Sequence, residues 1–200
     1  MTEFKYEPIF SPGPDRTEYQ LIGDRDVRIL NLGGRTFIEI GREALISLAR
    51  EAMRQVNFYL RPSHNRLVSE ILLDPEASDN DRYVARAMLK NAIISAEGKL
   101  PFCQDTGTVI IMGWKGQGVL TEGNDRESLS EGVYRAYRDE NFRYSQVAPL
   151  DMFTEKNTGT NLPAQIEIYS REGGSYDFLF LAKGGRSEEH TSELQSRQSI

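Results

Sequence analysis

The chain has little of several things that would have fixed its function early. It holds one cysteine, Cys103, in 200 residues, so no internal disulfide is available. It holds two histidines, His64 and His190, too few for a histidine-rich metal site. No apolar run approaches the ~18 residues of a membrane-spanning helix, and the first residues lack the apolar stretch of a signal peptide. These absences point to a cytoplasmic protein with no membrane partner. Basic clusters are missing too: 24 Lys and Arg stand against 30 Asp and Glu, a net charge of −6. A nucleic-acid partner would require a Lys/Arg stripe to neutralise phosphates, and none is present. A small anionic substrate stays open, because a few arginines can make a positive pocket in an acidic protein.

What is present reads as a globular α+β chain. Residues 1–20 are polar and proline-bearing and are expected to form an extended arm. Two β-branched runs, VRILNL and RTFIEI, flank Gly33-Gly34 and predict a hairpin. From Glu43 the apolar period changes. Leu45, Leu48, Ala49, Ala52, Met53, Val56 and Leu60 recur at helical spacing, and Pro62 is expected to stop that helix. A shorter helix is expected over Ser63–Leu73. Another opens at the Ser78-Asp79-Asn80-Asp81 cap, with Val84, Ala87, Met88 and Ala92 as its buried face. VIIMGW reads as a buried strand, and Leu129, Val133, Ala136 and Tyr137 mark a further helix. QIEIY, a Gly173-Gly174 turn and YDFLFLA predict a second hairpin. The expected fold is an N-terminal hairpin and helices followed by a mixed sheet, rather than alternating βαβ units. The boundaries are 1–41 for the arm and hairpin, 42–185 for the main domain, and 186–200 for a tail.

That tail, RSEEHTSELQSRQSI, follows Gly184-Gly185 abruptly and shows neither helical nor strand periodicity. Its first eleven residues resemble the in-frame translation of a ligated sequencing adapter. The reading treats Arg186–Ile200 as non-native, which leaves His64 as the only histidine of the remainder.

Four segments carry groups suited to chemistry. Cys103-Gln104-Asp105-Thr106-Gly107 lies in a loop between a helix and a strand, where functional groups are commonly displayed. It combines a thiol, an amide and a carboxylate. Asp105 opposes thiolate formation unless a cation or metal offsets it, and metal coordination would deprotonate the sulfur directly. On chemistry alone, metal ligand, nucleophile and inert core residue stand level for Cys103. Asn141-Phe142-Arg143-Tyr144-Ser145 places an arginine beyond a helix end. Asn157-Thr158-Gly159-Thr160-Asn161 concentrates small hydrogen-bonding residues before Leu162-Pro163. Lys183-Gly184-Gly185 follows an apolar strand, where backbone amides can cradle an anion. Each taken singly suits a solvated turn.

In order, FCQDTGT, FRYSQVAPLDMF, KNTGTNLPAQIEIY and FLAKGG resemble the N-terminal part of the class I, iron–sulfur, single-chain fumarate hydratases. NFYLRPSH and DPEASDNDRYVA add to the resemblance, which spans Thr17 to Gly185. Two-subunit fumarases and tartrate dehydratases share CQDTG and NTG but differ around LRP and RYSQ. A tartrate dehydratase-like hydro-lyase is therefore the alternative, beside a non-catalytic folded fragment.

The resemblance implies reversible hydration of fumarate to (S)-malate, a reaction of the tricarboxylic acid cycle, on a [4Fe–4S] cluster held by three cysteines. One iron of that cluster lacks a protein ligand and serves as a Lewis acid. Carried onto this chain, Cys103 becomes one cluster ligand and Asp105 the catalytic group. Gln104, Asp105, Arg143 and Gly185 become substrate-binding residues for a small dicarboxylate. The family pattern has a third glycine after Gly184-Gly185, where this sequence has Arg186. The resemblance also implies a homodimer in the complete enzyme. Two further cysteines and a C-terminal domain then lie outside these 200 residues, so this chain is expected to be inactive alone.

Overall fold

A computed structural model describes residues 19–103, 106–184 and the backbone of 195–199. The expected arm falls almost wholly outside these residues, as do Gln104, Asp105, Gly185 and Arg186. The described part is α+β, with four helices and three small sheets.

β1 (Val27–Leu32) and β2 (Arg35–Ile40) form the expected hairpin, Leu32 opposite Arg35. Gly33 and Gly34 at its tip have φ of 57° and 76°, the left-handed pair that a two-residue turn requires. The hairpin also serves the next helix, α1 (Arg42–Phe58). Its N-cap is Gly41, which offers no side chain. Asp26 supplies the missing acceptor, its carboxylate taking the Glu43 amide at 3.1 Å while its carbonyl takes that of Gly41 at 2.7 Å.

α1 ends at Phe58, four residues before Pro62. Pro62 instead opens α2 (Pro62–Glu70), at the position where a missing N–H does no harm. α3 (Asp79–Ser95) starts on the expected capping box, Ser78 and Asp81 satisfying each other's backbone amides. Its expected buried face is not buried. Val84 is 44% and Met88 43% exposed, and the helix buries only Ala85 and Ser95. α2 and α3 pack on each other away from the main core, and no described element covers their outer side.

The core lies between α1, α4 (Asp125–Asp139) and one face of a four-stranded sheet. α1 contributes Leu45, Leu48, Ala49, Ala52, Met53 and Val56; α4 contributes Leu129, Val133, Ala136 and Tyr137, as the helical spacing predicts. The sheet is built around β3 (Thr108–Gly116), with β7 (Gln165–Arg171) parallel on one side and β8 (Tyr176–Lys183) antiparallel on the other. This corrects the second hairpin: β7 and β8 do not pair with each other, because β3 lies between them. Apolar on both faces, β3 suits a central position. The β7–β8 connection wraps its end, with Gln117 N–H donating to Arg171 O and Gly118 N–H to Gly173 O. Phe178 and Phe180 of β8 face the helices, their rings 5.9 Å apart.

β4 (Val119–Thr121) joins the first hairpin as a parallel partner of β2, Ile38 opposite Val119. The mixed sheet is as expected, but both parallel pairs, β2 with β4 and β3 with β7, are bridged by helix-containing connections. β5 (Val147–Pro149) and β6 (Glu155–Asn157) make a small separate ribbon. The tail contributes one strand. β9 (Gln195–Ser199) pairs antiparallel with β8, Leu179 opposite Arg197. Backbone pairing with an open sheet edge needs no side-chain alternation, which is why the sequence pattern gave no sign of it.

α1 and α4 touch at Gly132, where a Cβ would lie 2.4 Å from the Ile46 carbonyl and 2.6 Å from Ala49 Cβ. Beside this contact Glu131 accepts from both Arg135 and Arg42, which hold its carboxyl below the usual carboxylate range. Gly132→Val should therefore force the helices apart and lower stability by roughly 2 kcal/mol. Urea denaturation of the 200-residue chain checks this; an unchanged midpoint would mean the contact is loose.

Candidate active site

One corner of the fold gathers the four chemical segments: the start of β3, the end of β8 and the loop entering β7. Thr108 stands opposite Lys183 in the sheet, so the start of β3 and the end of β8 meet by strand register alone. Gly107 closes the contact at φ 55°, and a Cβ there would sit 1.8 Å from the Lys183 carbonyl oxygen. No larger residue fits that backbone approach.

Cys103 is exposed, and its thiol is free. The chain just before it is held firmly. Phe102 donates its amide to the Asn57 carbonyl at the end of α1 (3.1 Å) and accepts from Asn91 Nδ2 of α3 (2.7 Å). The cysteine is thus presented at a seam between two helices. Gln104 and Asp105 follow it and lie outside the described residues, as does Gly185 beyond Gly184.

Arg143 is presented by alternation. Its neighbours Phe142 and Tyr144 turn inward onto Tyr137, with ring centroids 5.3 and 6.2 Å away, and Phe142 also meets Phe58 at 5.4 Å. With both flanking rings anchored in an extended segment, Arg143 points outward and is exposed. Among the described residues neither Arg143 nor Lys183 has a carboxylate partner.

The 106–108 segment and the 143–146 segment are laced together by side chains. Thr106 Oγ1 donates to the Arg143 carbonyl at 2.5 Å, and Thr108 Oγ1 meets Gln146 Oε1 at 3.0 Å. Tyr137 Oη donates to the Thr106 carbonyl at 2.8 Å. Between them sits Asn161, fully buried with φ 55°. Its Nδ2 donates to the Gly107 carbonyl at 2.9 Å, and its Oδ1 accepts from the Ser145 and Gln146 amides at 2.8 and 2.9 Å. Asn157 extends the lacing to Tyr144 O at 2.7 Å. The Thr158 hydroxyl nearby is buried and has no partner.

Sequence reading singled out Cys103, Arg143 and the polar run 157–161, and the fold brings those segments together. It missed the specific roles of Thr106, Tyr137 and Asn161. The available sign was an asparagine in a run of small polar residues immediately before Leu-Pro, since Asn tolerates the left-handed backbone that this position adopts.

An exposed loop thiol suits one thiolate-held corner of an iron–sulfur cluster. Among the described residues no three His, Cys, Asp or Glu side chains lie together as a metal site. The described residues therefore fit one ligand of such a cluster and do not fit the cluster as a whole.

Comparison with known proteins gives the family. The fumarate hydratase (Fumerase) family model matches residues 46–197. The chain is 50% identical over 197 residues to the anaerobic class I fumarate hydratase of Escherichia coli K12, covering 98% of this chain and 36% of that protein. It is 45% identical over 203 residues to mitochondrial fumarate hydratase 1 of Leishmania major, covering 37% of that protein. The chain belongs to the fumarate hydratase family, as a relative of its class I enzymes. It spans about a third of the length of the curated relatives it matches.

Asn161→Ala removes three buried hydrogen bonds and leaves one carbonyl and two amides unpartnered. The loss should be on the order of 3 kcal/mol, read as a lower thermal midpoint of the 200-residue chain. A midpoint within a degree of the parent would show that these bonds add nothing.

Proposed function

We propose that this chain forms one wall of the active site of an iron–sulfur hydro-lyase that interconverts fumarate and (S)-malate. The observation that supports the reading is the lacing of Thr106 and Gly107, which follow Cys103 closely in sequence, to the segment that bears the outward-pointing Arg143.

The reaction joins two difficult tasks: a proton leaves carbon and a hydroxide leaves its neighbour. One group must move the proton while others hold both carboxylates and polarise the C–O bond. Arg143 is assigned to a substrate carboxylate, which its planar fork can take through two parallel N–H···O bonds. Gln104 and Asp105 follow Cys103 directly, and Asp105 is assigned the acid–base role. The backbone at Gly185, beyond the Lys183–Gly184 contact with Gly107, is assigned to the same ligand. Cys103 is assigned as one thiolate ligand of the [4Fe–4S] cluster.

In an enzyme carrying all three ligands, Cys103→Ser should abolish the visible cluster absorbance and malate dehydration together. Arg143→Lys should raise the KM for malate about tenfold or more while the protein stays folded, because a point charge replaces a bidentate fork. Wild-type behaviour of either variant would remove that residue from the site.

The 200-residue chain alone should give no malate-to-fumarate conversion and hold no stoichiometric four-iron cluster, since one thiolate cannot replace three. Anaerobic reconstitution with iron and sulfide, followed by iron quantification, checks this. A four-iron cluster with turnover would overturn it.

A further inference from the structure

We propose that Thr106 is a positioning residue: its hydroxyl, bonded to the Arg143 backbone carbonyl, sets where the substrate-gripping guanidinium stands relative to the segment that leads into β3. The inference rests on the function proposed above and assigns Thr106 no contact with substrate.

Thr106 is 1% exposed, and it directly follows the residue assigned to acid–base work. Two bonds act on it directly. Its hydroxyl donates to Arg143 O at 2.5 Å, and its own carbonyl accepts from Tyr137 Oη at 2.8 Å. One residue on, the Gly107 carbonyl accepts from Asn161, which also holds the Ser145 and Gln146 amides. Arg143 therefore has its own carbonyl held by Thr106, and the Ser145 and Gln146 amides just after it are held by Asn161. Its flanking rings fix which way the side chain leaves the backbone. Of these constraints, only the Thr106 bond joins the segment that leads into β3 directly to Arg143 itself. No backbone ladder bond does so, since 141–146 has no strand pairing. Losing the hydroxyl would leave Arg143 attached to the corner but free to shift along it.

Thr106→Val keeps the β-branched shape and removes only the hydroxyl; Thr106→Ser keeps the hydroxyl. In the complete, cluster-loaded enzyme, Thr106→Val should raise the KM for malate roughly tenfold, the effect of one lost hydrogen bond. Its kcat should stay within about twofold of wild type, and Thr106→Ser should restore the KM. Hydrogen exchange in the 200-residue chain supplies a readout independent of activity. Residues 141–147 should exchange roughly tenfold faster in Thr106→Val and not in Thr106→Ser, with α1 and α4 unchanged. An unchanged KM and unchanged exchange would overturn the proposal. So would a general loss of protection with a normal KM, which marks a plain folding role. Should Thr106→Val not fold, Thr106→Ala against Thr106→Ser reads the same comparison. A wild-type enzyme inactive on malate would sink the functional reading instead, while the exchange result would still stand or fall separately.

Discussion

The buried amide of Asn161 is the constraint on which the candidate site depends. It bonds both a carbonyl and two amides on segments that have no ladder between them. Irregular chain carried into a protein interior leaves its backbone groups without water, and each such group must find a partner. Here one side chain answers three of them at once. The Thr106 and Thr108 hydroxyls and Asn157 complete the set. The segment leading into β3 and the segment bearing Arg143 are thus held by side chains in a corner where sheet geometry ends.

How legible this was in the sequence depends on the kind of signal. α4 was readable because Leu129, Val133, Ala136 and Tyr137 repeat at one helical period, and the first hairpin because two glycines mark its turn. The capping box at Ser78 was readable for the same local reason. Pairing over distance was not. YDFLFLA after QIEIY and two glycines has every local mark of a hairpin, yet β3 takes the place between them, and nothing within the two runs encodes a third strand. The face of α3 was misread because helical spacing reports which residues are apolar, not whether something covers them. In the site, the order of four short segments was legible. The bonds of Thr106 and Asn161 join residues 37 and 54 apart in sequence, and no local pattern shows them.

The two halves of the described chain differ in completeness. α1, α4 and the β3 sheet close a core in which Leu45, Ile111, Leu129 and Phe180 are fully buried. The α2–α3 pair closes none: Leu67, Leu73, Tyr83 and Ile93 stand at least 59% exposed on it. Patches of that kind on a single chain mark a surface built against something else. Cys103 lies on the connection leaving this pair, and Phe102 before it is tied to both α3 and α1. The thiol is therefore displayed on the border between the closed core and the open side.

The central position of β3 has a consequence for synthesis on the ribosome. Both of its neighbours come later in the chain, β7 after the whole α4 and loop region and β8 later still. An emerging β3 thus waits with two unsatisfied edges and two apolar faces while the Arg143 and Asn161 loops are still being made. Those loops lie inside the crossover that closes the β3–β7 pair, so docking of β7 and burial of Asn161 belong to the same late event. Until then the nascent strand is a target for chaperones and for pairing with other chains, a hazard common to non-local sheets.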